Sequence, residues 1–239
     1  MANFLIEKSK IQGDRAVIDG ELLKHIKTVL RMHSGDELTL CDGEGVFYDA
    51  VLTDDISEAE IAKKYPAPTE PKLKITLFQA IPKNPKLEFI IQKATEIGVA
   101  KIVPVNTARI VAKIEKDSKL ERLRKIAREA AAQSRRGIVP EVADPVSFAE
   151  AVCMAAQCDL AIIPYEDEHK TPFRDCLRGK TAGSLALFIG PEGGFDEAEV
   201  ALARENGILP ATLGPRILRT ETAGLVAASI AMYELGDME

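Results

Sequence analysis

Ser184-Leu185-Ala186-Leu187-Phe188-Ile189 runs directly into Gly190-Pro191-Glu192-Gly193-Gly194, and Phe195-Asp196-Glu197-Ala198-Glu199-Val200 follows (residues 184–200, SLALFIGPEGGFDEAEV). The first six residues form a short, unbroken apolar run of the kind a strand buried on both faces requires. Asp196-x-x-Glu199 has the spacing of a capping box, so a helix opens there. The stretch is therefore strand, glycine-rich turn, helix. Glycines in such a turn let backbone amides and carbonyls come close to a ligand, and the helix N-terminus behind them is electropositive. No Gly-Lys-Ser/Thr ending follows, so this is not a P-loop, and the spacing is not Gly-x-Gly-x-x-Gly. By itself the turn reads equally as a structural corner or a ligand loop.

Working outward, the same alternation recurs. Residues 73–81 (LKITLFQAI) read as a buried strand, and 87–97 as a helix with Leu87, Ile90, Ile91, Ala94 and Ile97 on one face, stopped by Gly98. KIVPV (101–105) is the next strand, and a helix opened by Ser118-x-x-Glu121 extends to about Ser134. CDLAIIP (158–164) and ILPATL (208–213) are further strands, with Gly207 ending the helix before the latter, and a last helix spans 221–235. Strands separated by helices predict an α/β domain with a parallel sheet covered on both faces and ligand loops at the strand carboxyl ends. The segment before residue 70 differs, with NFLIE, RAVID and DELTLCDGEGVFYDAVLTD suggesting a small β-barrel of short strands around Asp42-Gly43. YPAPTEP (65–71), with three prolines, reads as a linker. The expected domains are 1–70 and 71–239.

Composition narrows the function classes. Hydrophobic residues make up 46% and charged residues 28% of the 239, the balance of a folded globular protein. No stretch approaches the roughly 18 apolar residues of a membrane helix and no secretory leader opens the chain, so the expected location is cytoplasmic. Cys41, Cys153, Cys158 and Cys176 lack zinc-site pairing, and His25, His33 and His169 form no ligand spacing with them, so no metal is expected. A net charge of −6 excludes bulk electrostatic capture of nucleic acid; any such contact must be local.

A second loop lies between strand and helix at Leu213-Gly214-Pro215-Arg216-Ile217-Leu218-Arg219-Thr220-Glu221-Thr222-Ala223. Alone it reads as a plain connection in which Thr220 caps the last helix. Together, FIGPEGGFDEAEV and LGPRILRTETAGL resemble the bacterial 16S ribosomal RNA uracil-N3 methyltransferases of the SPOUT class. The resemblance extends to QKATEIGVAKIVPV, to Gln133-Ser134 with Arg136, and to His25, Val29-Leu30-Arg31, Gly35-Asp36 and Asp42-Gly43-x-Gly45, in effect the whole chain. It implies a PUA-like N-terminal barrel, a SPOUT domain with a trefoil knot, S-adenosylmethionine as cofactor and a homodimer. The cofactor pocket it implies is built from Pro164, Tyr165 and Glu166, from Gly190, Pro191, Glu192 and Gly193, and from Leu213, Gly214, Arg216, Ile217 and Leu218, with Ala223. The family reads Glu-Gln-Ser/Cys-Gly-Arg where this chain has Ala132-Gln133-Ser134-Arg135-Arg136, so the acid is missing and an arginine stands in the glycine's place.

The implied substrate is 16S RNA in the 30S subunit. Methylating uracil N3 requires loss of a proton and support for charge spreading onto O2 and O4, work suited to arginine. Arg219 and Arg136 are the expected catalytic groups, with Glu221 as proton acceptor, as partner of an arginine, or as a first-turn acid complementing the helix dipole. Local RNA contacts are expected from Arg122, Lys125, Arg128, Gln133, Arg135 and Arg136, in a stretch that also holds Lys119 and Arg124, and from His25, Lys27 and Arg31. Phe195 and Tyr165 are candidates to stack on a base, or core residues. Two other readings stand beside this one: a SPOUT enzyme acting on another base or a ribose, and a non-catalytic ribosome-assembly RNA binder.

Overall fold

The computed structural model describes every residue except Met1, Asn84, Ala112, Lys113, Glu115, Lys116, Asp237 and Glu239. The chain divides into two compact units, residues 1–70 with 131–139, and residues 71–130 with 140–239.

In the first unit, strands β1 (Ala2–Leu5), β2 (Ile11–Gln12), β3 (Arg15–Val17), β4 (Glu37–Cys41), β5 (Val46–Leu52) and β6 (Glu58–Pro66) make one sheet in the order β1-β4-β5-β6-β3-β2. β1 runs parallel to β4 and the remaining pairs are antiparallel. The end strands β1 and β2 do not pair with each other among the described residues, so the expected barrel is a half-barrel. Its core gathers Ile18, Ile26, Leu38, Leu40, Ala50 and Leu52. Helix α1 (Gly20–Lys24) continues as a π-helical turn over His25–Leu30, a helical segment the strand pattern did not foretell.

The proline-rich linker and residues 131–139 lock together in this unit. Glu70 accepts from the Gly137 and Ile138 amides at 2.9 and 3.0 Å and pairs with Arg136 at 2.8 Å, both side chains being nearly buried. Gly137 has no room for a Cβ, which would overlap that of Ala67. A boundary drawn along the sequence could not show that a segment some 60 residues downstream completes the first unit.

The second unit carries a wholly parallel sheet: β7 (Lys74–Ala80), β8 (Lys101–Asn106), β9 (Glu141–Val142), β10 (Val146–Ser147), β11 (Leu160–Pro164), β12 (Ser184–Ile189) and β13 (Leu209–Ala211). The order is β10-β8-β7-β12-β11-β13, with β9 also on β8. Alternate residues serve opposite faces. Ile75, Leu77, Leu185 and Leu187 pack under α2 (Lys86–Ile97), α3 (Asp117–Gln133), α5 (Phe173–Leu177) and α7 (Thr220–Leu235), whereas Phe78, Ala186 and Phe188 pack under α4 (Phe148–Ala155) and α6 (Glu197–Glu205). Both faces are buried, which is why these strands lack a polar alternation.

The helix signals fare unevenly. Gly98 does end α2 in the left-handed region, and Asp196 and Glu199 do form a capping box. Ser118 instead lies inside α3, and Glu121 pairs with Arg124 at 2.7 Å rather than closing a box. A capping box does form at Ser147 and Glu150, where α4 begins.

Candidate functional site

β12, β11 and β13 are neighbours in the sheet, and the turns leaving their carboxyl ends converge on a cleft of about 540 Å³. Pro164, Tyr165, Glu166 and His169 come from the first turn, Gly190–Phe195 from the second, Thr212–Leu218 from the third, and Thr220 and Ala223 from the start of α7. The residues expected at the cofactor pocket from the loop motifs all line this cleft. Parallel topology explains the convergence, since it brings the carboxyl ends of successive strands to one edge.

Local hydrogen bonds set the three turns. The Gly194 amide donates to Pro191 O at 3.0 Å, closing the glycine turn. Gly194 has φ +69°, the left-handed region that favours glycine, and a Cβ there would also displace the Glu166 carboxylate. The Tyr165 amide donates to Ala211 O at 2.9 Å and the Thr212 amide to Thr171 O at 2.8 Å, stitching the first and third turns. Arg109, just beyond β8, donates to Gly193 O at 3.1 Å and pairs with Asp196 at 3.2 Å, steadying the entrance to α6.

The lining is mixed. Leu213 and Ala223 are half-buried apolar surface, whereas Ile217 is 90% exposed at the cleft. Glu166, His169, Glu192 and Arg216 supply the charged and polar side chains. Tyr165 packs partly into the core while its hydroxyl donates to Asp167 at 3.0 Å. Phe195 is a core residue, 2% exposed and against Phe148, and cannot stack on an incoming base without unpacking that core.

Lys86, the first residue of α2, lies 3.1 Å from both Glu192 and Glu221. Glu221 Oε2 is buried, and the ion pair with Lys86 is its contact at the rim. Burial pushes the Glu221 carboxyl up, but its own backbone amide, Lys86 and Arg219 together outweigh this and hold it below the ordinary carboxylate range. Glu192 is lowered in the same way, its burial outweighed by its own amide, Lys86 and the Lys83 amide. An acid held ionised is a weak proton acceptor, which favours Glu221 as a charge partner over a general base.

The expected catalytic pair falls in different units. Arg219 is exposed at the N-cap of α7, adjoining the cleft residues Leu218 and Thr220. Arg136 is a correction: it belongs to the first unit, is 5% exposed, and its guanidinium is engaged by Glu70. A cation so buried is held in place by its partner and is not available to a substrate. Thr220 does not cap α7; its hydroxyl is buried and donates to Gly190 O at 2.6 Å.

The candidate RNA contacts fall in both units. Arg122, Lys125 and Arg128 are exposed on α3 in the second unit, with Arg122 paired to Glu88 and Lys125 close to Glu129. Gln133 and Arg135 are exposed in the first. Arg135 has φ +59°, which explains the family's glycine at that position. His25, Lys27 and Arg31 are exposed on the helical turn of the half-barrel, beside the exposed Val29 and Leu30.

Sequence reasoning missed Lys86, Gln79, Arg109 and Glu70. Two of them left a signal: a lysine in a first helical turn opposes the helix dipole, and a glutamine in LFQAI interrupts an apolar strand. Among the described residues, no group of three or more His, Cys, Asp or Glu side chains is placed to hold a metal ion.

Comparison with known proteins agrees with this geometry. Residues 69–232 match the RNA methyltransferase domain family and residues 18–62 the RNA methyltransferase PUA domain family. The chain is 36% identical to ribosomal RNA small subunit methyltransferase E of Bacillus subtilis, covering 98% of this chain and 97% of that one. It superposes on the ribosomal RNA small subunit methyltransferase E of Neisseria gonorrhoeae bound to S-adenosyl methionine with a TM-score of 0.85, 31% identity and complete coverage of both chains. A putative methyltransferase of Legionella pneumophila in complex with its bound cofactor gives 0.84 at 33% identity, over 99% of each chain. With the match running through both units and all three turns of the cleft, the chain belongs to the ribosomal RNA small subunit methyltransferase E family.

Proposed function

We propose that this protein transfers the methyl group of S-adenosylmethionine to N3 of a uridine in 16S ribosomal RNA of the small subunit. The observation that carries the reading is the cleft, in which three turns from adjacent parallel strands, two of them glycine-bearing, meet around the full set of motif residues. Its volume lies within the roughly 300–1,000 Å³ of small-molecule sites. The donor set also fits the cofactor: half-buried apolar side chains and close-approach backbone for an adenosine, and the Glu166 and Glu192 carboxylates for its ammonium or sulfonium charge.

The cofactor supplies an electrophilic methyl group on a sulfonium. The chain's own residues then have two tasks. The turns at 190–194 and 213–218 hold the donor and exclude water. Arg219, at the N-cap of α7, offers a permanent positive charge to the uracil oxygens once the N3 proton has passed to solvent. Glu221, held ionised by its own backbone amide and by Lys86, attracts the Arg219 charge. Lys27, Arg31, Arg128 and Arg135 are the exposed cations in this reading that hold RNA phosphates.

The same reading includes the trefoil knot, a cytoplasmic location and a homodimer. Supporting the last, α7 puts Ala227, Ala228, Ala231 and Met232 into the core with Leu225 and Ile230 packed against it, and leaves Val226 half-buried and Tyr233 exposed. Apolar side chains seven residues apart lie on one helix face and suit a surface that a second copy covers. No described helix is long and apolar enough to cross a membrane.

Labelled S-adenosylmethionine is the test, offered with 30S subunits, naked 16S RNA and bulk transfer RNA from a strain lacking the gene, followed by nucleoside analysis. Label in 3-methyluridine of the 30S sample is the expected result. Label on a ribose or confined to transfer RNA overturns the target, and no transfer without cofactor binding overturns the enzyme.

A further inference from the structure

Gln79, near the end of β7, is completely buried. Its amide nitrogen donates to Ala80 O and to Thr220 Oγ1, each at 3.0 Å, and the Thr220 hydroxyl donates to Gly190 O at 2.6 Å. A hydroxyl has one proton, which here goes to Gly190, so the direction of the chain from Gln79 through Thr220 to Gly190 is determined. Gln79 Oε1 is buried without a partner among the described residues. A leucine in its place would carry no such desolvation cost, so core stability does not account for the glutamine.

At the rim, Lys86 joins the next pair of residues along the same two segments. Gly190 and Glu192 belong to the glycine turn, and Thr220 and Glu221 are the first two residues of α7. Each pair is bridged, the inner one through the hydroxyl backed by Gln79, the outer one through Lys86. The supports come from the β7 to α2 connection, and neither Gln79 nor Lys86 lines the cleft.

We propose that Gln79 and Thr220 are positioning residues of the methyl-donor cleft. They hold the Gly190 turn against the first turn of α7 before a ligand arrives, with Lys86 as the outer counterpart. The inference rests on the methyl-donor reading of the cleft. Its consequence is that the donor turn and the Arg219–Glu221 corner move as one piece.

The experiment compares Thr220→Val, which keeps the shape and loses the hydroxyl, with Thr220→Ser, which restores it, and adds Gln79→Leu. Two quantities are read: the calorimetric Kd for S-adenosylmethionine, and exchange of the Gly190, Glu192, Gly193 and Gly194 amides in the protein without ligand. Losing one buried hydrogen bond is expected to raise Kd by up to about tenfold in Thr220→Val. Exchange at 190–194 quickens in Thr220→Val and Gln79→Leu relative to strands β7 and β12, and Thr220→Ser restores both readouts. Wild-type exchange and Kd in Thr220→Val overturn the proposal, as does a uniform rise in exchange across the whole sheet. Wild-type protein that does not bind S-adenosylmethionine overturns the methyl-donor reading, while the ligand-free exchange still decides for or against the latch.

Discussion

Replacing Lys86 by methionine tests whether the charge triad at the cleft rim holds the fold of that rim. The side chain keeps its length and loses its charge, leaving the Glu192 and Glu221 carboxylates, each formerly 3.1 Å from the ammonium, without their common cation. Exposed pairs contribute about 0.2–1 kcal/mol each, and breaking a fully buried pair costs about 3–5 kcal/mol. These side chains are 27%, 31% and 18% exposed, between the two limits. A loss of about 2 kcal/mol follows, a fall in Tm of roughly 4–8 °C for a chain of this size. The pH dependence separates lost charge from lost packing. With Lys86 present the two carboxyls titrate below their ordinary values, so they stabilise the fold above the unfolded carboxylate range, and that contribution is lost as pH falls through the folded values. Without it, each carboxyl keeps its own backbone amide but loses the ammonium that opposes burial, so both titrate higher than in the wild type and the loss felt at pH 8 shrinks as the carboxyls protonate. The assay is urea unfolding of both proteins at pH 8 and near pH 3.5, on either side of the carboxylate range. A difference that is the same at both pH values, or below about 0.5 kcal/mol throughout, refutes the argument.

The remaining predictions concern neighbouring groups. Arg136→Met strands the Glu70 carboxylate and should destabilise the protein by about 3–5 kcal/mol in denaturant titration, the mark of a structural arginine. Arg135→Gly should instead leave stability unchanged or raise it by up to about 1 kcal/mol, because it relieves a left-handed backbone while adding chain entropy; a clear loss of Tm would contradict this. Arg219→Ala should lower kcat by about 10²–10³-fold with little change in the Kd of S-adenosylmethionine, as expected for a charge acting on the uracil. The rate of methyl transfer should rise toward alkaline pH as the imide ionises, with no inflection between pH 5 and 7 from Glu221; an inflection there that Glu221→Gln abolishes would restore that residue as the base.

The strands and helices nearest the cleft were legible because their signals are local. Ser184–Ile189 is an apolar run with a glycine turn after it, and Asp196 and Glu199 satisfy a helix end within four residues of each other. Ser118 shows the limit of such signals, for the same pattern of serine and acid was overruled when Glu121 found Arg124 one turn away. The role given to Arg136 failed for a related reason: a guanidinium next to exposed cations in the sequence turned inward to meet Glu70, which stands 66 residues earlier.

Residue order, read through its resemblance to a known family, pointed to the turns that line the cleft, since glycines and flanking apolar runs act through the backbone of their own segment. Only the tertiary structure decided which side chains serve those turns. It placed Gln79 beneath Gly190, Lys86 between Glu192 and Glu221, and residues 131–139 in the first unit. Hydrogen bonds and ion pairs act over about 3 Å in space whatever the separation along the chain. Their partners therefore become readable only when parallel strands have brought distant segments to one edge of the sheet.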